Sequence, residues 1–588
     1  MRWCYGGSMV YQRWVGVGGG MVWEERAGCF MYQKITAIIF FSYFCTLIYI
    51  PLEGERNKEY TLRTVFLALL AGIALGLVFS PRTGTFRSKS REAGTLDKKM
   101  ESVINLVKEE YVDDFDDDSA AVRMMDAIMK SLDPHSRYIS AEDLKREMSD
   151  IRGSFEGIGA TLQSIKDTVY ITHAMSGSPA SHADLHTGDR IITVDGTTVS
   201  GVKMAIEDVI KLIRGPHGKP VRLGIMHYGS KKLEEVSVER DVIRTNSVAY
   251  SGMLNDKTGY VRLSRFSETS YDEVMAALTY LDMTAKPDNL VLDLRGNGGG
   301  LLDAAIGIAN EFLEKGSLIV YTQGAHQKRS DVKANGRGHF QDMNLVVMID
   351  EFSASASEVV SGAIQDNDRG IIVGRRSFGK GLVQRQFDFT DGSAVWLTVA
   401  RYYTPSGRCI QRPYDKGTDE YYSEFLNELL EESASDSAIV KITDSTPYHT
   451  AQGRIVYGGG GIYPDHTLPY YRDSLLGYYN MLNNRRVLDK VAFEYVAKNY
   501  DRLHKEYLTD DDFIEKFTVS DEMRQSVIAA GKQAGIQPNE ASLAKYGKEI
   551  DTMVKAYMAE YLFGFESFYQ AYTTIDNDLQ ATLKLLKK

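Results

Sequence analysis

The sequence predicts a multidomain α/β protein with helical regions at its N- and C-terminal ends. Three observations carry that expectation. At 588 residues, with 43% hydrophobic and 25% charged side chains, the chain is long enough for several domains with cores of their own. Between residues 243 and 470, short apolar runs that read as buried strands alternate with segments of helical period. Two of those runs, Asn289-Leu-Val-Leu and Leu345-Val-Val-Met-Ile, lead into turns made of small residues. The first turn is Asp293-Leu294-Arg295-Gly296-Asn297-Gly298-Gly299-Gly300, and the second is Ser353-Ala354-Ser355-Ala356-Ser357-Glu358. Helix-period residues follow each turn, Leu302 to Phe312 after one and Val359 to Ile364 after the other. Strand, small-residue turn, helix is a layout that aims backbone N–H groups and a turn side chain at a ligand.

Composition narrows the function classes. A formal charge of −11 argues against a general nucleic-acid binder. Cys4, Cys29 and Cys45 lie near the N-terminus, which leaves Cys409 without a disulfide partner in the rest of the chain. No Cys/His spacing suggests a metal, and no cofactor is expected.

Taken in order, residues 1–61 form an N-terminal extension of uncertain status, rich in Gly, Trp and Tyr without periodicity. Residues 62–80 are expected to form a membrane anchor. Val65 to Phe79 carries no charge, Arg63 can snorkel, and no small-x-small cleavage site follows. Basic residues stand on both sides of the segment (Arg56, Lys58 and Arg63; Arg82, Arg87, Lys89 and Arg91), so charge bias does not fix orientation. Residues 81–95 read as a linker and 96–150 as a helical region, with apolar stripes at Met100, Val103, Val107 and at Val122, Met125, Met129. Asp133-Pro134 ends the second helix.

Residues 151–242 change to short strands and glycine turns. Gly157-Ile158-Gly159-Ala160 precedes a strand, Leu185-His-Thr-Gly188-Asp189-Arg190-Ile191-Ile192 and Val194-Asp195-Gly196 follow, and then comes a helical stripe at Ala205, Val209 and Ile213. This order resembles a PDZ domain of the circularly permuted kind found in bacterial proteases. The resemblance implies capture of a protein C-terminus, with the peptide adding a strand to a sheet edge. Gly157, Ile158, Gly159 and Ala160 are then the candidate carboxylate-binding loop.

The chemistry of the core can be argued from residue types. A Ser-His-Asp triad needs a histidine near the nucleophile, yet no histidine falls in either turn, and Ser355 lacks a Gly-x-Ser-x-Gly elbow. The base available near the serine turn is Lys380, in Phe378-Gly379-Lys380-Gly381, and a Ser–Lys pair follows the same nucleophile–base logic. Ser353 and Ser357 flank Ser355 as alternatives. Asp366 and Asp368 read as solvated helix-end charges, and Arg295 as a residue that positions the glycine loop.

The two turns, the run from Gly374 to Gln384, Tyr402-Tyr-Thr-Pro-Ser-Gly-Arg408 and Leu132-Asp-Pro-His-Ser136 together resemble the C-terminal processing (tail-specific) serine peptidases. The resemblance covers roughly residues 96–469. It implies a peptidase core of crotonase- or ClpP-like α/β layers, with Ser355 as nucleophile, Lys380 as general base and Gln384 as its orienting partner. A glutamine there can hydrogen-bond the lysine without a carboxylate's charge, which would raise the lysine pKa. The N–H of Ala356 and that of Gly299 or Gly300 are the expected oxyanion donors. Residues 471–588 lie outside the resemblance and read as a helical extension.

The expected function is a serine endopeptidase that recognises C-terminal tails through the PDZ domain and hydrolyses peptide bonds with a Ser–Lys dyad. Expected partners are protein substrates with accessible apolar C-termini, the membrane through the N-terminal helix, and a further copy or an adaptor, with no nucleic acid. The expected location is the bacterial inner membrane, single-pass, with the catalytic part in the periplasm. The rival is an inactive or gated PDZ-type peptide-binding scaffold or chaperone of the cell envelope.

Overall fold

The computed structural model describes residues 16–17, 20–21, 95–434, 442 and 444–586. They fall into two units, 1–114 and 115–588. In the first, Gly16–Val17 pairs antiparallel with Gly20–Met21, and Thr95–Glu110 is a helix. The expected anchor at 62–80 lies outside the described residues. Among the described residues, no helix is long and apolar enough to cross a membrane.

The second unit begins with the helix Asp117–Lys130, the Asp133 turn and the strand Arg137–Ile139. The helix Ala141–Arg152 follows, capped by Ser140, whose side chain accepts from the Asp143 N–H. Residues after it form an antiparallel sheet in the order Glu234–Glu239, Pro220–Met226, Arg190–Val194, Thr168–Ala174, Ala160–Ile165. Alternation sets its faces: Val221 and Leu223 are buried while Arg222 between them is exposed. The helix Ile206–Ile213 buries Val209 and Ile213 in the same core. Ala160–Ile165 is the sheet's edge strand, and Ile158-Gly159 leads into it. Gly159 has φ 72°, and a Cβ there would stand 2.3 Å from Ser178 Cβ, so only glycine fits this turn.

The larger sheet runs Val248–Asn255, Thr258–Leu263, Asn289–Asp293, Asn344–Ile349, Ile371–Gly374, His466–Thr467; its first pair is antiparallel and the others are parallel. Parallel strands covered on both faces read as continuous apolar runs, which is why Asn289-Leu-Val-Leu shows no alternation in sequence. Leu290 and Leu292 face the helices Ser270–Thr284, Leu302–Phe312 and Ala356–Asp366. Val291, Val346, Met348 and Val373 face the other way and pack on Leu579 of the chain's last helix, Asn577–Leu585. A second sheet, Ser330–Lys333, Leu318–Gln323, Ala394–Tyr403, Leu382–Asp388, carries Arg137–Ile139 on Ala394–Tyr403.

The C-terminal extension is a helical lobe with its own core of Leu482, Leu488, Val496, Phe513, Val554 and Met558. It packs on the 151–242 domain: Tyr170 meets Phe493 edge-on at 5.5 Å. Thr187 Oγ1 lies 2.8 Å from the Tyr561 carbonyl. It also reaches the large sheet through Leu579.

Asp366 and Asp368 do not sit in solvent. Asp366 pairs with the fully buried Arg408 at 2.7 Å, and Asp368 pairs with Arg454 at 2.5 Å. The helix end that carries them is covered by the 404–408 turn and the hairpin Asp444–His449/Ile455–Gly458, a cover that the local charge pattern does not encode.

Candidate active site

Both signature turns leave the carboxyl ends of adjacent parallel strands, so the fold brings them side by side. Asp350, directly after Asn344–Ile349, ties them together. Its Oδ1 accepts from the N–H of Gly296 (2.9 Å) in the glycine turn and from those of Phe352 and Ser353 (3.1 Å each) in the serine turn. Asn297 adds a second tie: its carbonyl accepts from the Ala354 N–H at 3.0 Å and from Ser357 Oγ at 2.8 Å.

The three serines now separate by role. Ser353 Oγ donates to the Leu294 carbonyl at 2.8 Å and Ser357 Oγ to that of Asn297, and both residues are fully buried. Each hydroxyl is spent on joining the turns. Ser355 alone of the three is partly open to solvent. Its backbone lies at φ 56°, ψ −112°, a strained region for a residue with a Cβ, and strain of this kind collects at functional turns.

Glu358, to which the motifs in the sequence assign no role, organises the site. Fully buried, it accepts from the N–H groups of Ser355 (2.8 Å) and Lys380 (2.9 Å) on Oε2. Its Oε1 accepts from the Gly379 N–H (2.8 Å) and Ser377 Oγ (2.5 Å). One carboxylate oxygen therefore holds the backbones of the candidate nucleophile and base together. The signal was present: Ser355-x-x-Glu358 has capping-box spacing at a helix start. Burial pushes the Glu358 carboxyl up from its ordinary range, and the four donors oppose that shift. Tyr402 makes the matching tie on the carbonyl side, with its hydroxyl 2.7 Å from the Lys380 carbonyl and 3.1 Å from that of Ser355.

The Lys380 ammonium is held below its ordinary pKa by burial and by the nearby Arg137 guanidinium, against the pull of Glu358 and Asp133. His135 is the other residue that sequence reasoning misjudged. No histidine falls in a signature turn, but the Asp133 turn folds His135 into the site. Burial and the Lys380 charge push its imidazole down to about 3, so it stays neutral at physiological pH. Asp133 builds that turn by accepting from the N–H groups of His135 and Ser136 at 2.8 Å each. The Gln384 amide donates to the His135 carbonyl at 2.5 Å, which ties Gln384 to the same turn.

The glycine turn contributes shape and a donor at different positions. Gly299 packs on the nucleophile so closely that a Cβ would lie 2.8 Å from Ser355 Cβ and 3.0 Å from the Ala356 nitrogen. Its N–H, however, is taken by Asn297 Oδ1 at 2.9 Å. The Gly299 carbonyl accepts from Phe266 at 3.0 Å, and the trans peptide then turns the Gly300 N–H the opposite way. Of the two glycines named from sequence, Gly300 has the N–H to give and Gly299 does not. Ala356 is the first residue of its helix, so its N–H has no intrahelical acceptor.

This fold and site define a serine peptidase with an attached PDZ domain. Residues 257–419 match the model of peptidase family S41, residues 147–226 that of the PDZ domain, and residues 478–564 a family of unknown function, DUF8443. The chain is 36% identical over 316 residues to the carboxy-terminal-processing protease of Bartonella bacilliformis, an alignment covering 53% of this chain and 71% of that one. It is 33% identical over 372 residues to a probable CtpA-like serine protease of Staphylococcus aureus, covering 61% and 73%. Among solved structures it is similar to the photosystem II D1 C-terminal processing protease, with 28% identity, 64% and 87% coverage and a TM-score of 0.32. The chain belongs to the S41 carboxy-terminal-processing protease family and is a serine peptidase of that class.

Proposed function

We propose that this protein is an endopeptidase that captures the C-terminal tail of a protein substrate on its PDZ domain and cleaves by a Ser355–Lys380 dyad. The observation that carries the reading is the shared Glu358 carboxylate, which joins the backbones of Ser355 and Lys380 while burial lowers the lysine pKa. Neutral Lys380 takes the Ser355 hydroxyl proton as Oγ attacks the scissile carbonyl carbon. The N–H groups of Ala356 and Gly300 receive the charge that develops on the carbonyl oxygen. The C–N bond then breaks as the lysine returns the proton to the leaving amine. Water, deprotonated by the same lysine, releases the acyl group and restores the serine. Gln384 orients the lysine.

The edge strand Ala160–Ile165 and the Ile158-Gly159 turn suit the addition of an apolar tail as one more strand, with its carboxylate on the loop's N–H groups. We further read residues 62–80 as a single-pass anchor in the bacterial inner membrane, with the peptidase in the periplasm. Wild-type enzyme should be labelled by a serine-directed fluorophosphonate at Ser355. It should also cleave an unfolded reporter with a free apolar C-terminus at least about tenfold faster than its amidated twin, and sediment with membranes through a salt wash. Equal rates on the two reporters would remove tail recognition from the proposal. Tail binding without labelling or turnover would favour the scaffold.

A further inference from the structure

The last helix of the C-terminal lobe starts against the backs of both catalytic turns. Asp576, only 5% exposed, takes the Arg295 guanidinium in a two-pronged grip, Nη1–Oδ1 at 3.1 Å and Nη2–Oδ2 at 2.7 Å. Arg295 belongs to the glycine turn. Its other edge holds Asp293, with Nη2–Oδ2 at 2.6 Å and Nε–Oδ1 at 3.0 Å. Asp293 also accepts from Arg262 and from the Tyr260 hydroxyl, each at 2.7 Å. Arg262 in turn donates to the Arg295 carbonyl at 3.1 Å, beside the Gly296 N–H that bonds Asp350. Two residues on, Asp578 takes Arg375 Nη1 at 2.7 Å. Arg375 Nε holds Glu351 at 2.9 Å, at the start of the serine turn, and Tyr470 holds the other Glu351 oxygen at 2.7 Å.

The charges explain why this arrangement matters. Asp293 and Asp576 balance Arg262 and Arg295 on the wall of a cavity of about 400 Å³, with Asp578 3.7 Å from Arg295 Nη1. Loss of the Asp576 charge removes the closer of the two carboxylates that the last helix sets against Arg295, whose side chain is only 9% exposed. The glycine turn then has reason to move, because Arg295 is part of it. The helix itself is secured independently. Asp576 caps it by accepting from the Leu579 N–H at 3.1 Å, and the fully buried Leu579 fills the sheet face formed by Val291, Val346, Met348 and Val373.

We infer that Asp576 and Asp578 are positioning residues for catalysis, supplied by the C-terminal lobe. Asp576 acts through Arg295 on the glycine turn that carries the Gly300 donor, and Asp578 acts through Arg375 and Glu351 on the turn that carries Ser355. The lobe that grips the PDZ domain is thereby also part of the scaffold of the oxyanion site. This inference rests on the reading of Ser355 as nucleophile.

The test uses the full chain and the variants Asp576→Asn, Asp578→Asn and Ser355→Ala. Asparagine caps a helix as well as aspartate does, so these changes remove the charge and keep the cap. Turnover of the free-tail reporter and the rate of fluorophosphonate labelling are measured well below the melting temperature of each protein. Asp576→Asn should lower kcat at least about tenfold and slow labelling in parallel, with KM within about twofold of wild type. Asp578→Asn, at the more exposed pair, should act in the same sense more weakly, and it carries the test should Asp576→Asn not fold. A kcat per folded molecule equal to wild type in the folded variants, with only the melting temperature lowered, overturns the inference and leaves the two residues a structural role. Turnover and labelling that persist in Ser355→Ala remove the nucleophile assignment instead, and the inference with it.

Discussion

Lys380→Met is expected to lower kcat by at least about 10⁴-fold while leaving the protein folded and as stable as wild type, or more so. Methionine preserves the length of the buried stem and removes the amine. Without the amine no good base remains at the site, because burial is the largest cause holding the His135 imidazole low and Glu358 already has four donors. The stability half follows from linkage. The folded-state lysine pKa is lowered and the unfolded-state value is the ordinary one near 10.5. Between the two, the unfolded chain binds one more proton, so wild-type stability rises with pH across that window and is lowest below it. The methionine variant has no such term and should gain relative to wild type as pH falls toward neutrality. In the wild type, kcat/KM should rise with pH along a limb centred below 10.5, since the active form is the neutral amine. Ser355→Ala should match the loss of turnover without the gain in stability. Residual activity within tenfold of wild type in Lys380→Met would remove the lysine from the role of base.

Glu358→Gln should cost about 10²-fold or more in kcat and about 2–4 kcal/mol of stability, measured by turnover and by denaturant unfolding. The substitution keeps the shape but replaces one of two acceptor oxygens by a donor that faces N–H and O–H groups. Two contacts reverse from attraction to repulsion, and the remaining two lose their charge assistance. If the amide nitrogen lies at the Oε2 position, the N–H groups of Ser355 and Lys380 both lose their acceptor, and nucleophile and base separate. If it lies at the Oε1 position, the loss falls on Gly379 and Ser377, and through them on the approach of Lys380. Either orientation loosens the dyad, so kcat should fall while tail binding to the PDZ domain stays unchanged. An active Glu358→Gln enzyme with lowered stability alone would show that the carboxylate braces the fold without setting the catalytic geometry.

Much of this site was legible in the chain because its parts are local. A turn of small residues after an apolar run declares a strand that delivers backbone to a ligand, and Asp293–Gly300 and Ser353–Glu358 do so in consecutive order. Capping-box spacing between Ser355 and Glu358 is equally local and was there to be used. The choice of Ser355 over Ser353 and Ser357 required the partners of each hydroxyl, which lie some sixty residues away at Leu294 and Asn297.

By itself the sequence determined the α/β layering, the two turns, the small glycine-turned domain before them and the residue types able to act as nucleophile and base, since each rests on periodicity or on neighbours within a few positions. Tertiary structure alone decided that His135 stands beside Lys380, that Gly300 and not Gly299 has a free donor, that Asp366 and Asp368 are ion-paired rather than solvated, and that the last helix braces both turns. Apart from the Gly299 N–H, which Asn297 takes from two residues away, each of these depends on an ion pair or hydrogen bond closed across a large loop, Arg295 to Asp576 being the longest. The energy of such a contact comes from burial and from a partner's placement, and neither is encoded in the residues adjacent to it.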